Sequence, residues 1–198
     1  FDFGALTAQD QDRYITSMTE SVVGRLLAEL RKTQLSELKS NRDVSASQLL
    51  EAKEKALRAD RQAVAHISFL IGLAQEYVRK VEKDPAVVSL RDVRRCLELV
   101  EWFMRNFGSK LKRSQLGASV VLGLAFVYFY RLSNVSARNQ LWSQLASRHF
   151  DSECPPLESA SSLQSTLKRL QLLLCKRLYI EEGVALNDAL VENLFVVL

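Results

Sequence analysis

The chain has 198 residues, 47% hydrophobic and 25% charged, with a net charge of +4. That is an ordinary globular balance, long enough for one domain or two small ones, and too weakly basic to call for nucleic acid. Cys96, Cys154 and Cys175 are an odd, widely spaced set with no CxxC pair, so reduced thiols in an intracellular protein are expected, not a disulfide scaffold or a zinc site.

Three prolines and seven glycines leave few breakers, which favours helix throughout. The chain begins on Phe1 and ends on the apolar run LFVVL, and both ends read as cuts in something longer. From Thr7 the pattern TAQD is a capping box, with Asp10 reaching back. Tyr14, Ile15, Met18, Val22, Leu26 and Leu30 follow at helical spacing. A polar stretch over 36–47 predicts a turn or loop. A second long helix is predicted from about Ser47 to Val81. Its apolar stripe is Leu49, Leu50, Leu57, Val64, Ile67, Leu70, Ile71, Ala74 and Val78. Asp84-Pro85 ends it.

Ser89 and Asp92 form another capping box and open a third helix. Val93, Leu97, Val100, Met104 and Phe107 make its buried face, with Cys96 and Phe103 beside it, and Gly108 stops it. Leu116 to Tyr130 then carries no charge, with Ser119 and Gly123 as a small-xxx-small pair. It is short for a transmembrane helix of about 20 residues. The amphipathic helices around it need a central partner, so a buried core helix is expected. Val135 to Phe150 follows with Leu141, Trp142 and Leu145 inward. A linker with two prolines is placed at 151–162. Leu163 to Leu178 is amphipathic again, and ALNDALVENLFVVL reads as a last helix. The fold class is therefore all-α, a bundle of amphipathic helices around one apolar central helix.

Chemistry is mostly absent. There is no GxxxxGK[ST] phosphate loop and no HExxH, and His66 and His149 are isolated. His66 lies beside Ile67 on the stripe and reads as a packed core histidine. No catalytic residue and no metal ligand is assigned. The aromatics fall at helical spacing, not as a stacking platform, which argues against single-stranded nucleic acid.

Three arginines remain. Arg91, Arg94 and Arg95 crowd the first turns of the helix that Ser89 opens. The helix dipole is already positive there, and like charges four apart repel mildly. Either carboxylates on this chain neutralise them, or one reaches a phosphate held elsewhere, for which the always-charged, forked guanidinium is suited.

SLRD at Ser89 to Asp92 resembles the second-sensor motif of AAA+ ATPases of the dynein, midasin and mysterin type. FDFGALTAQDQDRYI, AQEYVRKVEKDPAVVSLRDVRRCLELVEWF, YFYRL and the terminal ALNDALVENLFVVL are similar to the mysterin-type family, giant AAA+ proteins that are also RING-type E3 ubiquitin ligases. Residues 24–60 carry less of the likeness. The resemblance implies a helical AAA+ lid over 1–150 and, over 163–198, a helical connection into the next module. It also implies ATP and Mg2+ for the parent module, with zinc confined to parts of the parent beyond this chain. As partners it implies neighbouring AAA+ modules, a ubiquitin-conjugating enzyme and ubiquitin. A cytoplasmic location, with lipid-droplet association, comes with it. Arg91 matches the nucleotide-sensing position; Arg94 and Arg95 match as local sequence and are supporting candidates. Two other classes stay open: a helical scaffold or adaptor whose arginines face acidic partners, and a membrane-associated protein using Leu116 to Tyr130.

Overall fold

The computed structural model describes residues 7–40, 45–84, 86–106, 113–147, 160–176, 187, 190, 191 and 193. These are helical nearly throughout, with no strand among them. In chain order the α-helices are α1 (Ala8–Thr19), α2 (Arg25–Ser40), α3 (Ala46–Glu82), α4 (Leu90–Asn106), α5 (Leu116–Leu124), α6 (Val135–Ala146) and α7 (Ala160–Cys175). Two π-helical segments, Glu20–Gly24 and Ala125–Phe129, extend α1 and α5 without a break. The all-α expectation holds.

The cap expected at Thr7 forms, with Asp10 reaching back to the Thr7 hydroxyl. Thr7 accepts from the Asp10 N–H at 3.1 Å and donates its hydroxyl to the Asp10 carboxylate at 2.6 Å. α3 opens with a box that the sequence reading did not name: Ser45 accepts from the Gln48 N–H, and the Gln48 side chain accepts from the Ser45 N–H. α3 ends at Glu82, with Lys83 in the left-handed region at φ 54°.

The polar stretch at 36–47 is shorter as a connection than its composition predicts. α2 runs on to Ser40. The hydroxyls of Thr33, Ser36 and Ser40 donate back to carbonyls three or four residues earlier, so they sit within the helix without breaking it. Residues 41–44 lie outside the described set, as do Gly108, Phe107 and His149.

The core gathers α3, α4 and α5 with the faces of α1, α2 and α6. Val93, Leu97, Val100 and Met104 of α4 are buried, as expected, with Cys96 and Phe103. Val23 and Leu27 join the buried face of the first helical run, which the sequence stripe missed. Tyr14 stays largely exposed. Leu116 to Phe129 is the central helix: Val121 and Leu124 are buried and Phe126 is partly so. No helix among the described residues is long and apolar enough to cross a membrane. Burial against α4 explains the apolar run, because each buried Leu or Val contributes about 1.5–3 kcal/mol.

α3 outruns the core. Its buried residues begin at Ala59, and those of α2 stop at Leu30. The last turns of α2 and the first turns of α3 are mostly exposed, and nearer the core an ion pair between Arg31 and Asp60 joins the two helices. Leu50, placed on the predicted stripe, is 58% exposed there. α7 packs into the same core through Leu167 and Leu170. Of the 151–162 linker only the first turn of α7 is described, and most of the terminal helix expected beyond Gly183 also lies outside the described residues.

Candidate functional site

The start of α4 is built from its capping box. The Ser89 N–H donates to the Asp92 carboxylate at 2.7 Å, and the Ser89 hydroxyl donates to the same oxygen at 3.2 Å. The Ser89 hydroxyl oxygen accepts from the Arg91 N–H at 3.2 Å. Two donors that would otherwise face solvent at a helix start are thus satisfied locally.

The approach to the cap is held from two sides. Three consecutive carbonyls each receive a side chain from elsewhere. Val87 accepts from Arg131 at 2.6 Å, Val88 accepts from Arg79 at 3.1 and 3.3 Å, and Ser89 accepts from Gln75 at 2.8 Å. Arg79 also donates to the Gln11 side chain at 2.7 Å, tying α1 into the same corner. Arg131 lies 3.3 Å from the other Asp92 carboxylate oxygen. Gln75, Arg79 and Arg131 were not legible as partners of this turn. The one available signal was that Arg131 closes the uncharged run.

The three candidate arginines part company here. Arg94 pairs with Glu98 one turn on, at 2.8 Å, with both side chains mostly exposed. The hydrogen bond to Glu98, and then its charge, push the Arg94 pKa above the usual arginine value. For Arg94 the counter-charge is a carboxylate of its own helix. Arg95 lies with its guanidinium 5.5 Å above the Phe126 ring, a cation–π placement. It lines a shallow cleft of about 220 Å³ with Asp92, Phe126, Val127, Tyr130 and Arg131. Arg91 is exposed on the first turn, and no carboxylate among the described residues lies within ion-pair distance of it. Arg95 and Arg131 share the cleft; Arg91 stands beside it, and Arg94 is turned to Glu98.

The other chemistry-bearing residues are structural. His66 is 4% exposed, and burial lowers its pKa to about 4, so it is neutral at pH 7, as the core reading expects. Cys96 is fully buried where α4 meets α5, and burial raises its thiol pKa far above the ordinary value, which makes it a poor nucleophile. Cys154 lies outside the described residues. No group of three or more His, Cys, Asp or Glu among the described residues is placed to hold a metal ion.

No protein-family model, curated protein or solved structure matches this chain.

Proposed function

We propose that this chain is the helical lid of an AAA+ ATPase module, joined to a connector into an adjoining module, and that it couples ATP binding to motion of the ATPase core. The observation that carries the reading is Arg91. It is a permanent cation at the first turn of a helix whose opposite side is buried, and its two neighbouring arginines have local partners while it has no carboxylate among the described residues. Such a side chain can meet charge that another domain presents. The likeness of SLRD to a second-sensor motif supplies the identity of that charge, the terminal phosphate of ATP with Mg2+. In phosphoryl transfer the protein contributes chiefly positioning and charge stabilisation, and a lid arginine serves both. Lid closure would pass motion onward through the neighbouring modules. The same reading carries the E3 ubiquitin ligase activity of the parent, its ubiquitin-conjugating enzyme, and a cytoplasmic site with lipid-droplet association.

A second reading, a scaffold or adaptor without a nucleotide role, is favoured by one feature. Leu38 and Leu50 stand exposed on the α2–α3 pair, outside the core.

Turnover separates the two. Under the lid reading, Arg91→Ala in the intact protein slows ATP hydrolysis, Arg91→Lys restores it only in part, and Arg94→Ala leaves it unchanged. The 198-residue chain alone neither hydrolyses ATP nor transfers ubiquitin. Equal turnover for wild type and Arg91→Ala would favour the scaffold.

A further inference from the structure

We propose that Arg131 is the positioning residue for Arg91, an inference that rests on the lid reading above. Arg131 follows the π-helical end of the central helix, and α4 begins more than one helix earlier in the chain. Its guanidinium nonetheless joins the two, donating to the Val87 carbonyl at 2.6 Å and approaching the Asp92 carboxylate at 3.3 Å. Asp92 in turn accepts from the Ser89 N–H at 2.7 Å, and Ser89 accepts from the N–H of Arg91 itself. A continuous relay therefore runs from the central helix to the residue that bears the proposed contact.

One terminal guanidinium nitrogen of Arg131, Nη1, faces both acceptors, the carbonyl before the helix and the carboxylate on its first turn. Arg79 and Gln75 grip the adjacent carbonyls from the α3 side. Arg79 also donates to Gln11 in α1, so it is tied to the packing of α1 on α3. Arg131 is tied only to the turn and the first turn of α4 by these bonds, and its side chain remains 36% exposed. Removing it should disturb the direction of α4's first turn more than the fold. The hydrophobic anchors Leu97 and Val100 sit beyond that turn, and within it Val93 is buried on the core side while Arg91 is exposed.

The test joins hydrogen exchange on the 198-residue chain to ATP and ADP affinity of the intact protein. Five proteins are compared: wild type, Arg131→Gln, Arg131→Lys, Arg91→Ala and the Arg131→Gln/Arg91→Ala double variant. The expected result is faster amide exchange over residues 90–93 in Arg131→Gln with a melting temperature close to wild type. ATP binding weakens several-fold with ADP binding unchanged, and Arg131→Gln adds nothing once Arg91 is alanine, as two residues acting through one contact require. Arg131→Lys, which keeps the charge on a shorter side chain with a freely rotating ammonium, should fall between. If Arg91→Ala weakens ATP binding while Arg131→Gln changes neither exchange nor affinity, the lid reading stands and the positioning role is overturned. Equal losses from Arg131→Gln in both backgrounds also overturn it, because Arg131 would then act independently of Arg91. If Arg91→Ala itself leaves ATP affinity unchanged, the lid reading fails and takes this role with it.

Discussion

Gly123 of α5 lies so close to Val100 of α4 that a methyl group on it would come within 2.8 Å of the valine Cγ2. It would also stand 3.1 Å from the Cys96 carbonyl, which cannot rotate away as a side-chain tip can. The small residue at this crossing lets the central helix approach α4 closely, so the small-xxx-small pair Ser119 and Gly123 reads as packing within the core.

Gly123→Ala is therefore expected to destabilise the chain by about 1–2 kcal/mol, because overpacking outweighs the helix-propensity gain of alanine. Gly72→Ala is the contrasting case. Its added carbon meets only ordinary contacts at 3.8 and 3.9 Å, in the middle of α3. It should stabilise by roughly 0.5–1 kcal/mol. Urea unfolding of both variants checks the pair, and opposite signs are required.

Tyr77 and Tyr128 should respond differently to loss of the hydroxyl. Tyr77 donates to the Ala137 carbonyl at 3.0 Å and lies 3.1 Å from the Gln140 side-chain oxygen, tying α3 to α6. The Tyr128 hydroxyl is buried without a hydrogen-bond partner among the described residues. Tyr77→Phe should cost about 1 kcal/mol or more, since the Ala137 carbonyl loses its donor from Tyr77, whereas Tyr128→Phe should be neutral or mildly stabilising. Melting curves of the two single variants decide this.

His66 makes stability depend on pH. Its pKa is about 4 in the fold against 6.5 as the ordinary value, because burial disfavours the charged ring. The unfolded chain therefore binds the proton more readily between those values, and stability falls as pH drops through that window. From pH 7 to pH 5 the loss due to this residue is about 2 kcal/mol. Denaturant midpoints for wild type and His66→Leu at the two pH values should show the wild type losing more. Parallel losses would show that other groups carry the dependence.

The helices were legible because their signals are local. Thr7 with Asp10 and Ser89 with Asp92 announced two starts, and the period of Val93, Leu97 and Val100 announced a buried face. The run Leu116 to Tyr130 announced the centre by its lack of charge. What escaped notice depends on tertiary partners. Leu50 has the right spacing to be buried, but its helix extends past the elements that could cover it. The π-helical turns at Glu20–Gly24 and Ala125–Phe129 have no composition of their own. Ser36 to Ser40 looked like loop because serine and lysine are polar, although nothing there breaks a helix.

The candidate site was legible only in part. The crowding of Arg91, Arg94 and Arg95 was visible, but that Glu98 would pair with Arg94 among the three was not. The grip of Gln75, Arg79 and Arg131 on three successive carbonyls was not, because backbone acceptors leave no trace in side-chain spacing. Arg95 over Phe126 was equally hidden, since it depends on how α4 lies across the end of the central helix.

The affinity of the intact protein for ATP and ADP, measured by calorimetry for wild type and Arg91→Ala beside a melting curve, tests the central claim most directly. A contact to the terminal phosphate predicts that Arg91→Ala weakens ATP binding by about 1.5–3 kcal/mol, the range for a hydrogen bond to a charged group. ADP affinity should stay close to wild type, and so should the melting temperature, because an exposed charge adds little to folding. Unchanged ATP affinity, with or without a small loss of stability, would contradict the account and leave Arg91 as a surface charge.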